Sequence, residues 1–338
     1  MSQIPSKKIE SLASLAEVVK NLKGPVAVVG HVRPDGDCVG ACVGMVELLK
    51  ARGMDVFGMT PDPVPEYLRF LLGDVLWKEP DAKALEDRTV VAVDVPGKRR
   101  LGGGFPVALA IDHHFSHEQD LFADSYYVDV QQASASQIIS SLARMLEGKV
   151  NPKQAKALYA GILMDTLSFT VGASNAAIQN AMNEASWLIS QGADGLGLCD
   201  RLIRNTRRAY LRYLNFVLER AEYLENGKIL LVGVNQKDID ALGATDEDRV
   251  NVGNFLVSIE GVEVSAIIRE NNGVCKGSLR GRENEYRLDL LAREFGSGGH
   301  QKASGVGGEG IKEPLETFLP RFRAALLSHW KTYGVSPK

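Results

Sequence analysis

Pro25-Val-Ala-Val-Val-Gly30-His31-Val-Arg-Pro34-Asp35-Gly-Asp37 is the stretch on which the reading of the chain turns. Its first six residues form a short apolar run rich in β-branched side chains, which predicts a buried strand. Residues 39–52 then return to helical periodicity and close at Gly53, so the unit is strand, polar loop, helix. Pro34 and Gly36 force a sharp loop, which can turn the His31 imidazole and the Asp35 and Asp37 carboxylates toward a common centre. Taken alone, Asp37 suits the N-cap of the following helix. In open α/β sheets, however, ligand sites form at this carboxyl edge of the strands.

The pattern recurs downstream. Residues 89–93 and 106–111 are apolar runs ending at Asp94 and Asp112, and His113 and His114 follow the second. Residues 155–164 form an apolar run too long for a strand, which predicts a buried helix ending at Asp165. Ile9, Leu12, Leu15, Val18, Val19 and Leu22 recur at helical spacing, so an amphipathic helix is expected over residues 6–23, stopped by Gly24-Pro25. Residues 190–197 break the pattern, and a charged stretch over 200–220 reads as helix. Beyond it, strands are expected over 228–234, 262–269 and 274–282, with helices over 250–260, 287–295 and 314–333. The fold class is therefore α/β. A parallel-sheet N-terminal domain over residues 1–190 is joined by a helical linker, 191–222, to a smaller α/β domain over 223–338.

Composition narrows the function. The chain has 338 residues, 45% hydrophobic and 24% charged, as in soluble globular proteins with more than one core. Its 39 basic and 42 acidic residues leave a formal charge of -3, so no global basic field exists to hold long duplex nucleic acid by counterion release. A short or small anionic substrate is compatible with that balance. Cys38, Cys42, Cys199 and Cys275 are too scattered for a disulfide framework, and Cys38 and Cys42 read as small core residues. With no 18-residue apolar stretch and no cleavable leader, a cytoplasmic protein with no membrane partner is expected.

His31, Asp35, Asp37, Asp94, Asp112, His113, His114 and Asp165 thus gather at one rim of the predicted sheet. Each alone reads as a cap, loop or core residue. Three predicted strands ending in Asp, two of them with His alongside, argue for a joint role. Converging carboxylates repel and raise one another's pKa, so burying them requires positive charge, which a divalent metal supplies. Imidazole plus carboxylate without thiolate suits manganese, with magnesium, cobalt and iron as competitors.

His31-x-x-x-Asp35-x-Asp37, Asp94, Asp112-His113-His114 and Asp165 resemble, in order and spacing, the four motifs of the DHH phosphoesterase superfamily. Ser278-Leu-Arg280-Gly and Phe295-Gly-Ser-Gly298-Gly299-His300-Gln-Lys302-Ala-Ser-Gly305 are similar to the DHH-associated domain with its glycine-rich His motif. Together they span nearly the whole chain, and their placement looks most like the bacterial NrnA-type oligoribonuclease (nanoRNase) and 3′,5′-phosphoadenosine phosphate (pAp) phosphatase group. The resemblance implies two metal ions, with His31, Asp35 and Asp94 on one, Asp37, His113 and Asp165 on the other, and Asp94 bridging. It further implies that Asp112 orients its neighbours and that His114 faces the scissile phosphate. Ser278, Arg280, Gly298, Gly299, His300 and Lys302 would bind substrate, the glycines by letting backbone N–H groups approach a phosphate. A homodimer is a further implication. The family's fourth motif commonly continues with Gly after Asp-Thr and soon an aromatic followed by Arg, where this chain has Leu167 and Phe169-Thr170.

The expected activity is manganese-dependent, two-metal hydrolysis of very short RNA to 5′-mononucleotides, and of pAp to AMP and phosphate. The alternatives are a cyclic- or linear-dinucleotide phosphodiesterase of the same superfamily and a catalytically silent nucleotide sensor. Arg201, Arg204, Arg207, Arg208 and Arg212 read as the solvated face of one helix, His117 as a loop residue and His329 as structural.

Overall fold

The computed structural model describes residues 6–79, 81–114, 121–172, 174–299 and 301–334. They fall into two compact units, Met1–Asn205 and Thr206–Lys338.

The first unit is built on a 7-stranded sheet of β1 (Lys7–Lys8), β2 (Val26–Val29), β3 (Val56–Met59), β4 (Trp77–Lys78), β5 (Thr89–Val93), β6 (Val107–Asp112) and β7 (Ala123–Val128). The order is β1-β7-β6-β5-β2-β3-β4, and every neighbouring pair is parallel. β2 and β3 are buried along their whole length, as their unbroken apolar sequences demand of a sheet covered on both faces. From β2 the chain steps outward through β3 to β4, then β5 returns to the opposite flank of β2. The winding therefore reverses between β2 and β5, and the crevice beyond their carboxyl ends is where such a sheet accepts a ligand.

Helices α1 (Leu12–Lys20), α2 (Gly36–Ala51), α3 (Lys98–Leu101), α4 (Ala135–Glu147), α5 (Pro152–Asp165), α6 (Asn175–Ser190) and α7 (Gly195–Leu202) complete this unit. α2 is apolar nearly all round and accordingly buried, packing on α4 and α5. Gly40 allows that contact, since a Cβ there would lie 2.5 Å from the Ala157 carbonyl oxygen. The N-cap of α2 is Asp35, whose carboxylate accepts the Cys38 N–H at 3.0 Å; the cap role that suited Asp37 from sequence falls two residues earlier. The helix expected over 6–23 is likewise shorter. The Ile9 N–H bonds the Tyr126 carbonyl at 2.8 Å beside β1, and Ser11 caps α1 by accepting the Ser14 N–H.

The second unit carries a mixed 5-stranded sheet, β12-β11-β10-β9-β8, from β8 (Glu222–Leu224), β9 (Ile229–Asn235), β10 (Val264–Asn271), β11 (Val274–Gly281) and β12 (Ala303–Lys312). Its helices are α8 (Arg208–Arg220), α9 (Gln236–Ala241), α10 (Asp246–Leu256), α11 (Leu288–Glu294) and α12 (Leu315–Tyr333). Side chains of β9 alternate between two cores: Ile229 and Leu231 meet Phe318 and Phe322, while Leu230, Val232 and Val234 meet Tyr213, Val217 and Val252. His329, read as structural, is buried with its Nε2 2.8 Å from the Tyr286 carbonyl.

The stretch 191–222 splits between the two units. α7 packs on α5, whereas α8 packs on α10 and β9. The five arginines consequently share no single helix face. Arg201 lies on α7 with its guanidinium 3.6 Å from the Phe70 ring centroid, and Arg207, ahead of α8, bonds Thr245 and Asp248. Among the described residues no helix is long and apolar enough to cross a membrane.

Candidate metal centre

Five elements deliver the acids and imidazoles to the switch-point crevice. His31 follows β2, Asp37 lies in the first turn of α2, Asp94 follows β5, Asp112 ends β6 with His113 and His114 after it, and Asp165 ends α5. His31, Asp37, Asp94 and Asp112 are buried. Asp94 stands in the middle: its Oδ2 is 3.5 Å from His31 Nε2, and its Oδ1 is 3.6 Å from His113 Nε2 and 3.5 Å from His114 Nδ1. His31 Nε2 is also 3.5 Å from Asp35 Oδ2, and His113 Nε2 is 3.4 Å from Asp165 Oδ2 and 3.9 Å from Asp37 Oδ2.

These separations are too long for good hydrogen bonds, and Asp94 Oδ1 and His113 Nε2 are buried with no hydrogen-bond partner. Such orphaned atoms are costly in a folded core. Two donors on one divalent ion, each about 2.0–2.3 Å from it, stand about 3–4 Å apart, so the spacing and the orphaned atoms fit metal ligation. Asp37, His113 and Asp165 form one group able to hold an ion, and His31, Cys38 and Asp94 another. Cys38, read from sequence as core alone, thus borders the centre. Burial pushes its thiol well above the usual range, and its Sγ accepts the His31 N–H at 3.2 Å.

The surrounding backbone fixes each donor. Nδ1 of His31 faces the Val32 carbonyl at 2.9 Å and must donate to it, which leaves Nε2 as the free lone pair. Both Asp37 oxygens accept backbone N–H groups from the first turn of α4, Ala135 at 2.6 Å and Ser136 at 2.9 Å. Gly161 of α5 leaves the space, because a Cβ there would strike the Ser136 side chain and lie 2.9 Å from Asp37 Oδ1. Asp112 Oδ1 accepts from the His113 and His114 N–H groups and lies 2.9 Å from His114 Nδ1. Asp94 adopts φ 59°, a left-handed conformation that Asp tolerates better than most side chains. Leu167, Ser168 and Phe169 are left-handed as well, so the turn after Asp165 adopts a conformation that glycine would favour.

Electrostatics follow from the crowding. Burial, then the neighbouring Asp37 charge, pushes the Asp94 and Asp165 carboxyls well above the usual range, and burial raises Asp37. His113 is held down by burial and by His114. For His114, burial is outweighed by its hydrogen bond to Asp112 and the surrounding carboxylates, which raise it to about 9. His31 also rises to about 9, because Cys38 and Asp35 overcome the burial that opposes its charge. Asp35 falls to about 2: burial opposes this, and the His31 hydrogen bond and charge prevail.

Residues 25–162 match the DHH family, N-terminal domain, and residues 229–328 match the DHHA1 domain. The chain thus carries a DHH-family N-terminal domain followed by a DHHA1 domain. The DHH match takes in β2 to β7 and α2 to α4 and ends within α5, three residues before Asp165, and the DHHA1 match takes in β9 to β12 of the second sheet. A similar curated protein is the bifunctional oligoribonuclease and PAP phosphatase NrnA of Thermus thermophilus, 29% identical over 306 residues, covering 89% of this chain and 90% of that one. The cyclic-di-AMP phosphodiesterase GdpP of Bacillus subtilis is 25% identical over 331 residues, or 90% of this chain and 48% of that one. Among solved structures, an exopolyphosphatase-related protein from Bacteroides fragilis shares the fold with a TM-score of 0.82 at 21% identity, covering 96% of this chain and 97% of that one.

In the DHHA1 domain, Ser278 and Arg280 point to one face of β11. Arg280 is fixed there, its Nε donating to Asn254 Oδ1 at 2.8 Å and its Nη1 to the Leu279 carbonyl at 2.9 Å. Gly299 is pressed against β12, where a Cβ would lie 2.5 Å from the Ala303 carbonyl, whereas Gly298 faces open space. Lys302 is exposed, 3.9 Å from Glu283. His300 and His117 lie outside the described residues. Asn254 gave no sequence signal, since a single amide on a helix is unremarkable, and Arg100, 3.0 Å from His31 Nδ1, was hidden in the run Lys98-Arg99-Arg100.

Proposed function

We propose that the DHH domain holds two divalent cations, manganese first, one through His31, Asp35 and Asp94 and the other through Asp37, His113 and Asp165, with Asp94 shared. The chain would hydrolyse very short oligoribonucleotides to 5′-mononucleotides and pAp to AMP and phosphate. The observation that carries this reading is Asp94, whose two oxygens address His31 on one side and His113 on the other. Bound divalent metal supplies an acidified water and neutralises charge on the attacking and departing oxygens.

Both reactions break the same bond, between phosphorus and a ribose 3′-oxygen. The water oxygen bonds to phosphorus, the 3′-oxygen leaves, and a proton must reach it. His114 is suited to this, because the Asp112 carboxylate engages Nδ1 and favours the charged ring, from which Nε2–H would donate to a phosphoryl or departing oxygen. Asp112 itself acts by positioning. In the DHHA1 domain we assign Ser278, Arg280, Gly298, Gly299, His300 and Lys302 to the substrate's phosphate and sugar groups; the restraint of Arg280 by Asn254 supports a preset donor. The similarity to GdpP supports a second reading, a cyclic-dinucleotide phosphodiesterase with the same chemistry.

Purified protein with Mn2+ should release mononucleotides from a labelled diribonucleotide and AMP from pAp, faster than it opens a cyclic dinucleotide. No turnover of either linear substrate rejects the assignment, and preference for the cyclic one selects the second reading.

A further inference from the structure

Arg100 lies in α3, a single turn that begins four residues after Asp94, and its backbone is tied to the loop carrying His31. Its carbonyl accepts the Val32 N–H at 2.8 Å, and its own N–H reaches the Gly97 carbonyl at 2.9 Å. The following Gly102, at φ 68°, lets this turn sit tightly, since a Cβ there would lie 2.6 Å from Pro61 and 2.7 Å from Val32. The half-buried guanidinium places Nη2 3.0 Å from His31 Nδ1 and 3.3 Å from Nε2. One N–H cannot point along the lone pairs of both ring nitrogens, and Nδ1 already donates to the Val32 carbonyl. Nε2, at 3.3 Å, is therefore the one ring atom that can accept from the guanidinium, which leaves its other N–H groups to face elsewhere.

No carboxylate among the described residues pairs with Arg100 within ion-pair distance, although Asp35 and Asp94 both reach His31 Nε2 at 3.5 Å. A planar cation with several unused donors, pinned by its backbone beside a cluster of acids, is arranged for an anion that arrives from solution. A tetrahedral phosphoryl group presents the oxygens that such a fork matches. We propose that Arg100 contacts the phosphoryl oxygens of the substrate, neutralising charge that the protein's own carboxylates cannot. The proposal rests on the phosphoester reading for its substrate and on the geometry around His31 for its placement.

The test uses the full chain, with Arg100→Gln and Arg100→Lys beside wild type. Calorimetry gives the Mn2+ affinity of each, then the affinity of each Mn2+-loaded protein for inorganic phosphate, and diribonucleotide hydrolysis gives kcat and KM. Arg100→Gln should keep Mn2+ affinity within about threefold, weaken phosphate by at least about tenfold, and lower kcat by about 10²–10³-fold, with Arg100→Lys recovering only part. Unchanged phosphate affinity in Arg100→Gln, or in Arg100→Lys should the first variant not fold, overturns the proposal. So does a loss of Mn2+ affinity that accounts for the whole effect, which would make Arg100 a positioning residue for His31. Arg100-dependent phosphate binding in a wild type that hydrolyses neither linear substrate would instead overturn the phosphoester reading and leave this contact standing.

Discussion

Replacing Asp94 with Asn should make the metal-free protein more stable and the metal-loaded protein less so. Asn matches Asp in shape and tolerates the left-handed backbone at φ 59° equally well. Its amide can turn Nδ2 toward His113 Nε2, a lone pair that lacks a partner and sits 3.6 Å from the present Oδ1. Satisfying a buried orphaned acceptor recovers about 1 kcal/mol or more. The upper limit comes from linkage. A carboxyl raised by burial and by Asp37 loses stability at 1.36 kcal/mol per pH unit above about pH 3.9, so at pH 7 the penalty cannot exceed about 4 kcal/mol. In chelator at pH 7, Asp94→Asn should therefore melt at least about 2–4 °C above wild type, and the difference should vanish near pH 4. Saturating Mn2+ reverses the order: ligand at about 1,000 times its Kd adds about 4.1 kcal/mol to wild type, and the variant, without the shared carboxylate, gains much less. Thermal unfolding by circular dichroism, with chelator and with Mn2+, reads all four cases. A variant less stable than wild type in chelator, or one stabilised equally by Mn2+, refutes the reasoning.

Further outcomes follow from the same geometry. Gly161→Ala pushes a methyl into Ser136 and toward Asp37, and overpacking of this kind costs about 1–3 kcal/mol. Its melting temperature should fall and its Mn2+ activation curve shift to higher metal by roughly tenfold or more. Leu167→Gly should stabilise by about 1 kcal/mol, read as a higher urea midpoint, because the residue is about half exposed and holds a left-handed φ of 44°. Metal uptake must displace protons from His31, Asp94 and Asp165, so adding Mn2+ to weakly buffered metal-free protein at pH 7 should acidify it. The raised histidines add stability that is present below about pH 6.5 and lost as pH climbs through about 9, so the metal-free melting temperature should drop across that window.

Strand ends were legible because a buried parallel strand is an unbroken apolar run, and the first polar residue after it marks the rim: Asp94 after β5 and His31 after β2 stand where that rule puts them. In the second unit β9, β10, β11, α10, α11 and α12 lie close to their expected ranges, whereas the short β8 and α9 and the glycine-rich β12, which has no apolar run to mark it, were not expected. Side-chain partnerships were not legible. Asp35 and Asp37 are both acids at the start of α2, and only the arrival of the α4 N-terminus, ninety-eight residues away, makes Asp35 the cap and Asp37 the buried acceptor. Likewise, the five arginines after residue 200 have helical spacing on paper, but residues 203–207 interrupt the helix and Arg207, though exposed, is tied to Asp248. Arg100 illustrates the same limit, since its neighbourhood depends on α3 folding back onto the His31 loop.

The centre itself can be observed directly. Anomalous scattering from a manganese-soaked crystal should give two peaks flanking the Asp94 carboxylate, one toward His31 and one toward His113. Clean density at Asp94 with no peak on either side, in protein shown to be intact, would contradict the assignment of these residues to metal.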